Sequence, residues 1–427
     1  MLISDSITLS ATRRVEDLAA IRLGLYVSIP FCKSKCSYCN FASGVFPRQQ
    51  MQAYVERVCA DVAGARELAS FAGAFCPDTV DSIYFGGGTP TLLEPEQLQA
   101  IFAALAKEFR ISPGAEITVE CAPGTLTGPI LAALAICGVN RVSLGVQSFV
   151  DAEARAVGRL HNAAVVASDV ERLRRAGIQN VNVDLIAGLP HQTEASWLHS
   201  LDMLIALGVP HASIYMLEVD EDSRLGGELL AGGTRFHAHF VPDDEQTAAF
   251  YSTACQRLER AGISQYEISN FARAGHGSRH NLKYWQRKPY FGFGLDAHSM
   301  LPNLHPESES VRIAMPDALP AFLESRSARD VSVTRISPRQ AWEESFFLGL
   351  RLNRGVDLAE IASSFGAEWA ERARKIAREL AELGLVELSV ESLRLTPRGR
   401  LLSNEVFERF LLSAAEPSAC ASNTISA

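Results

Sequence analysis

Between residues 24 and 270 the chain alternates short runs rich in β-forming residues with longer stretches whose apolar positions recur every three or four residues. The runs fall at residues 25–30, 80–85, 116–121, 141–146, 181–187, 212–217 and 266–269. The helical stretches include 95–109, 126–136, 164–176, 197–207 and 244–261. Strand–helix units joined by short loops predict an α/β fold, a parallel sheet covered by helices, either a barrel or an open doubly wound sheet. Both architectures gather function at the C-terminal ends of their strands, so chemistry is to be sought there.

At 427 residues the chain exceeds one compact core, and two domains are expected. Residues 302–338 are rich in Pro, Ser, Asp and Glu without a clear period, and read as an irregular connection. A second unit follows, with helices near 342–350, 357–365 and 368–383 and a hairpin within 386–395. This order resembles a small winged-helix-like α+β domain. Residues 333–412 carry twelve Lys/Arg against twelve Asp/Glu, a balance that favours a structural or partner-docking role over DNA binding. The division expected is an N-terminal extension (1–21), a large domain (22–302), the connection (303–338), the C-terminal domain (339–412) and a flexible Ala- and Ser-rich tail (413–427).

A net charge of −9 gives no electrostatic reason to expect nucleic acid as the partner. Polar and acidic residues (Ser4, Asp5, Ser6) stand where a signal peptide would have its apolar core, and no run approaches the length of a membrane span. A cytoplasmic location is the expectation. Nine cysteines in such a chain are not a disulfide framework. Cys59, Cys76, Cys121, Cys137, Cys255 and Cys420 are scattered and read as buried or incidental thiols.

Cys32, Cys36 and Cys39 are different. They form a Cys-x3-Cys-x2-Cys run directly after the first strand, with Tyr38 beside the third. Three soft thiolates on a short loop select zinc or an iron–sulfur cluster. Structural zinc takes four protein ligands, and neither a second cysteine pair nor a nearby histidine is available. Three ligands on a cubane leave one iron open for a further ligand. The run Tyr84-Phe-Gly-Gly-Gly-Thr-Pro90 follows the second strand; its glycines allow close backbone approach to a ligand, although a tight turn would explain them equally well. Asp184, inside the apolar run Val-Asp-Leu-Ile-Ala, is costly unless paired or ligand-bound.

The segment Leu25-Tyr-Val-Ser-Ile-Pro-Phe-Cys-Lys-Ser-Lys-Cys-Ser-Tyr-Cys-Asn-Phe41 resembles the cluster loop of the radical S-adenosylmethionine (SAM) superfamily. The likeness runs over roughly residues 22–410 and is nearest to the group of oxygen-independent coproporphyrinogen III oxidases (HemN) and heme chaperones (HemW), the latter above all. It implies a partial (β/α) barrel and a HemN-type C-terminal domain. It also implies a [4Fe-4S] cluster on Cys32, Cys36 and Cys39, and reductive cleavage of SAM to methionine and a 5′-deoxyadenosyl radical. As SAM-contacting positions it implies Tyr26, Gly86, Gly87, Gly88, Thr89, Glu120, Gln147, Arg159 and Asp184. The run His280-Asn-Leu-Lys-Tyr-Trp285 matches the chaperones' His-Asn-x-x-Tyr-Trp motif and implies heme as cargo at His280, Asn281, Tyr284 and Trp285, with His280 either ligating iron or positioning a neighbour. The oxidases carry a further cysteine two residues past the third ligand, where Phe41 stands here. Ser28 and Asn40 also depart from the family's histidine and aspartate, removing a polar pocket contact and a charge beside the cluster.

Heme transfer to apo-hemoproteins is the function this implies, with an electron donor for the cluster and a possible homodimer. Porphyrinogen oxidation is the enzymatic alternative, and DNA-binding regulation a disfavoured one. Heme, recipient hemoproteins and the donor are the partners expected, without nucleic acid or an integral membrane segment.

Overall fold

The structure, a computed structural model, describes residues 20–221, 223–304, 308–324 and 330–412. Most of the N-terminal extension, the tail from 413 and Cys420 lie outside the described residues.

Six parallel strands stand side by side in chain order: β1 (Leu23–Ile29), β2 (Thr79–Gly87), β3 (Arg110–Cys121), β4 (Arg141–Gln147), β5 (Asn180–Ala187) and β6 (His211–Met216). Helices Pro95–Glu108, Gly128–Ile136, Ala163–Arg175 and Glu194–Ala206 make successive crossovers. Each strand alternates. Leu25, Val27 and Ile29 of β1, and Val181, Val183 and Leu185 of β5, are fully buried in the main core. The residues between them (Tyr26, Ser28, Asn182, Asp184) face the opposite side, where Asn182 and Asp184 join Ser143 of β4 and Ser213 of β6 in one hydrogen-bonded set. Parallel strands covered on both faces read as continuous apolar runs. Strands that are apolar on one face and polar on the other imply a sheet curled around a polar interior.

Six shorter strands complete a twelve-stranded sheet of order β12-β11-β10-β9-β1-β2-β3-β4-β5-β6-β8-β7. They are β7 (Ser264–Gln265), β8 (Asn270–Ala272), β9 (Tyr290–Phe293), β10 (His298–Pro302), β11 (Ser310–Ala314) and β12 (Ser332–Ile336). Among the described residues the two ends of the sheet are the different strands β12 and β7, which fits the partial barrel expected.

Two expectations are corrected. Residues 266–269, read as a seventh strand, are the turn of the antiparallel β7–β8 hairpin, where the Glu267 side chain accepts hydrogen bonds from the Ser269 N–H and the Asn270 amide. The segment 303–338, read as an irregular connection, contributes β11 and β12, antiparallel on β10. β12 is an edge strand exposed at four of its five residues, so no core selects an apolar alternation there and the strand is invisible to a hydrophobic pattern.

The C-terminal unit follows the expected order: helices Pro338–Gly349, Leu358–Phe365 and Ala367–Glu382, then antiparallel β14 (Val386–Leu388) and β15 (Ser392–Leu395), with β13 (Val356–Asp357) pairing β15. A Ser337–Gln340 capping box with Pro338 in the first turn starts its first helix. Trp342, Phe346 and Phe410 centre a second core, which Ile268 enters from the β7–β8 turn. That turn is stitched to the unit by the Ile268 N–H to the Arg351 carbonyl (3.1 Å) and the Asn353 N–H to the Tyr266 carbonyl (3.0 Å). Glu344, 4% exposed, pairs with Arg287 (3.0 Å) and Arg312 (2.7 Å) of the barrel. Among the described residues no helix is long and apolar enough to cross a membrane.

Candidate functional site

The C-terminal ends of β2 to β6 open into a cavity of about 860 Å³, roofed by the loop after β1 and walled on one side by the C-terminal unit. Its first feature is the cysteine loop. The Cys32 N–H donates to the Gly44 carbonyl and the Gly44 N–H returns to Pro30, pinching residues 31–44 into a closed loop. The Ser37 N–H to Val157 and the Leu225 N–H to Ser37 clamp its middle from two sides. Cys32, Cys36 and Cys39 all line the cavity, and none is in a disulfide. Burial pushes the Cys32 thiol up, with Ser43 and Thr89 hydroxyls opposing it. The Arg159 Nη1 donates to Cys36 Sγ at 3.5 Å. Three thiolates on one loop are the ligand set that a cubane takes, each thiolate meeting a different iron.

The glycine segment also anchors the cysteine loop: the Gly88 and Thr89 N–H groups donate to the Ile29 and Phe31 carbonyls (both 2.8 Å). A Cβ on Gly88 would lie 2.8 Å from both carbonyls, which is why glycine stands there. Gly87 takes φ +98°, with the Ser28 hydroxyl and the Tyr26 hydroxyl close behind it. Gly87, Gly88 and Thr89 reach the lining; Tyr26 and Gly86 stand one layer back.

Glu120 lines the cavity and accepts from the Tyr84 hydroxyl at 2.8 Å. Burial pushes its carboxyl up to about 7, against the Tyr84 hydrogen bond and with help from the nearby Asp184 charge. Gln147 sits at a register shift between β4 and β5 with φ 71°, a backbone conformation that costs a side-chain-bearing residue energy. Its amide oxygen is buried without a hydrogen-bond partner, as is Nε of Arg159, whose Nη2 is tied to the Gly145 carbonyl. Asp184 accepts from Ser143 (3.0 Å) and Asn182 (2.6 Å); neutral donors hold it, not the ion pair considered as the structural alternative, and burial pushes its carboxyl up. Gln147, Arg159 and Asp184 all line the cavity. Three thiols on one loop, a titratable carboxyl, an orphaned amide oxygen and an orphaned guanidinium N–H make a donor set that fits a cluster with SAM beside it.

Helix Arg279–Trp285 carries the other motif. Asn281 and Trp285 line the cavity. His280 does not: it is fully buried, its Nδ1 3.0 Å from the Ser82 hydroxyl and its Nε2 2.9 Å from the Tyr284 hydroxyl. Burial, helped by Lys283 and Arg141, pulls the imidazole down to about 3, so it is neutral. Both ring nitrogens lie within hydrogen-bonding distance of protein hydroxyls, which favours positioning over iron ligation, the two roles left open for His280. Its place is to lock the helix that presents Asn281 and Trp285.

The sequence reading missed Ser143, Asn182, Ser213 and His211, which form the polar interior beneath Asp184; His211 Nδ1 lies 2.6 Å from the Asn182 amide oxygen. Their signal was present as polar residues at every second position of β4 to β6. Arg351, Arg400 and Glu405, which reach the cavity from the C-terminal unit, left no such signal.

Residues 26–204 match the model of the Radical SAM superfamily and residues 336–402 that of the HemN C-terminal domain. The heme chaperone HemW of Bacillus subtilis is 34% identical over 392 residues, covering 90% of this chain and 98% of the relative. HemW of Lactococcus lactis is 32% identical, covering 91% and 97%. The mouse mitochondrial radical S-adenosyl methionine domain-containing protein 1 is 34% identical over 79% of this chain and 75% of its own. The solved structure of Escherichia coli coproporphyrinogen III oxidase (HemN) superposes with a TM-score of 0.76 at 22% identity, covering 93% of each chain, and so shares the fold. With near-complete coverage of relatives above thirty per cent identity, the chain belongs to the HemW family of radical SAM proteins.

Proposed function

We propose that this protein is a cytoplasmic heme chaperone. It binds heme beside a SAM-ligated [4Fe-4S] cluster on Cys32, Cys36 and Cys39 and passes the heme to apo-hemoproteins. The observation that carries the reading is that one cavity is lined both by the cysteine loop and by Asn281 and Trp285 of the His-Asn-Leu-Lys-Tyr-Trp helix. The chain's relatives named as heme chaperones match it over nearly their whole length, which supports the same role here.

The residues divide the work. Cys32, Cys36 and Cys39 would hold the cluster, and Glu120, Gln147, Arg159 and Asp184 would offer polar contacts to SAM. When bound, the cluster and SAM supply one-electron chemistry or, unreduced, a fixed ligand set beside the cargo. Asn281 and Trp285 would meet the porphyrin from the cavity wall. His280 holds that helix in place through Ser82 and Tyr284. An external electron donor, and contact between two copies of the chain, complete the proposed set of partners.

The rival reading is a coproporphyrinogen III oxidase. Phe41, 65% exposed at the cavity rim, stands where the oxidases carry their additional cysteine, which weighs against it. The test uses anaerobically reconstituted protein incubated with heme, then gel filtration read by Soret absorption, beside Trp285→Ala. Retained heme that the variant loses is the result expected, with no protoporphyrinogen formed from coproporphyrinogen III. Failure of the wild type to retain heme overturns the chaperone reading.

A further inference from the structure

The cavity lining also includes residues of the β7–β8 turn, of helix Arg279–Trp285 and of the C-terminal unit. Two buried N–H donors there lack any acceptor: Nε1 of Trp285 and Nε of Arg351. They belong to one stacked pair, the Arg351 guanidinium lying 4.4 Å from the centre of the Trp285 ring. Glu267 forms an ion pair with Arg351, but its Oε2, also buried without a hydrogen-bond partner, is 3.9 Å from Arg351 Nε, beyond hydrogen-bonding reach. Glu267 is instead turned toward the Ser269 N–H and the Asn270 amide. Arg400 also faces the cavity; its own contact, Nη1 to the Leu395 carbonyl, is a weak 3.5 Å. Glu405 shares the lining.

The lining also carries apolar side chains, among them Ile186, Met216, Leu217, Ile268, Leu401 and Leu402. Buried donors without acceptors carry a desolvation cost that a complementary ligand group removes. A cavity that combines these apolar side chains with unpaired buried N–H groups fits a flat apolar molecule with a carboxylate on its edge.

Building on the heme reading, we propose that Arg351, Trp285 and Arg400 form a carboxylate subsite that receives a propionate of the porphyrin cargo. The macrocycle then lies along the apolar side chains of the lining, one edge held by the C-terminal unit and the other turned toward the cysteine loop. Residues of both domains thus share the ligand, which gives the C-terminal unit a binding role that its balanced charge does not advertise.

The test compares iron protoporphyrin IX with its dimethyl ester on cluster-loaded wild type, Arg351→Gln and Arg400→Gln, read by Soret titration. SAM binding to each variant, and the visible absorption of the cluster, are measured alongside. The diacid is expected to bind the wild type about tenfold to a hundredfold more tightly than the ester. Arg351→Gln is expected to abolish that preference while ester affinity, SAM affinity and cluster absorption stay as in the wild type. Equal binding of diacid and ester by the wild type overturns the subsite and leaves the heme reading standing. A loss of SAM rather than of diacid in Arg351→Gln also overturns it, reassigning the donors to a SAM carboxylate. Binding of neither porphyrin overturns both.

Discussion

Nε2 of His280 and the hydroxyl of Tyr284 lie 2.9 Å apart, one turn along the same helix, while Nδ1 of His280 meets Ser82 of β2 at 3.0 Å. This one imidazole bolts the motif helix to the barrel. His280→Ala therefore leaves two buried hydroxyls unpaired and a cavity, and costs the apo-protein about 2–4 kcal/mol of stability. Denaturant melts of the apo-protein check this. An unchanged apo-protein that loses only heme would mean the ring serves iron and not the fold.

The three thiols lining one cavity predict that Cys32→Ser, Cys36→Ser and Cys39→Ser each lose bound iron and sulfide after anaerobic reconstitution, because a serine hydroxyl is a poor ligand for iron–sulfur clusters. Cys59→Ser, on helix Arg48–Ala63 and outside the cavity lining, keeps its full complement. Iron and acid-labile sulfide assays separate the two groups.

Glu120 lies at about 7 in the folded chain against an ordinary 4.5, chiefly through burial. The folded state therefore holds a proton that the unfolded chain releases between those values. Stability is fully present below pH 4.5 and falls as pH rises toward 7. Glu120→Gln removes this loss, so the apo-variant melts above wild type at pH 8 and level with it at pH 4.5. Thermal melts at the two pH values decide the point. The same substitution weakens SAM binding, because an acceptor carboxylate is gone.

Gln147 holds a left-handed backbone and an unpaired buried amide oxygen in the cavity. Gln147→Gly relieves the backbone and is expected to raise apo-stability by up to about 1 kcal/mol. It also removes the amide, and SAM affinity is expected to fall about tenfold. Equilibrium dialysis with labelled SAM, beside denaturant melts, reads both. A variant that binds SAM as well as wild type would show that the strained residue serves the bulge alone.

Much of the site was legible in the chain because local chemistry imposes it. Cys-x3-Cys-x2-Cys after a strand announces a soft-metal loop whatever surrounds it, Asp184 could be named because it interrupts an apolar strand run, and Glu120 and Gln147 came from the family resemblance. Arg351 and Arg400 could not. Nothing near them in sequence distinguishes them from the other basic residues of a charge-balanced unit. The strand β12 was hidden for the opposite reason, since its side chains are mostly exposed and carry no pattern.

His280 marks the boundary between the two kinds of knowledge. The sequence by itself determined the α/β alternation, the cysteine loop at a strand end and the second unit, because periodicity and ligand spacing are properties of neighbouring residues. Only the tertiary structure decided that Gly88 anchors a loop, that His280 is locked between Ser82 and Tyr284, and that Trp285 meets Arg351 across the domain junction. Apart from His280–Tyr284, those are contacts between residues far apart in the chain, and burial and hydrogen-bond satisfaction, which no local pattern encodes, select the partners.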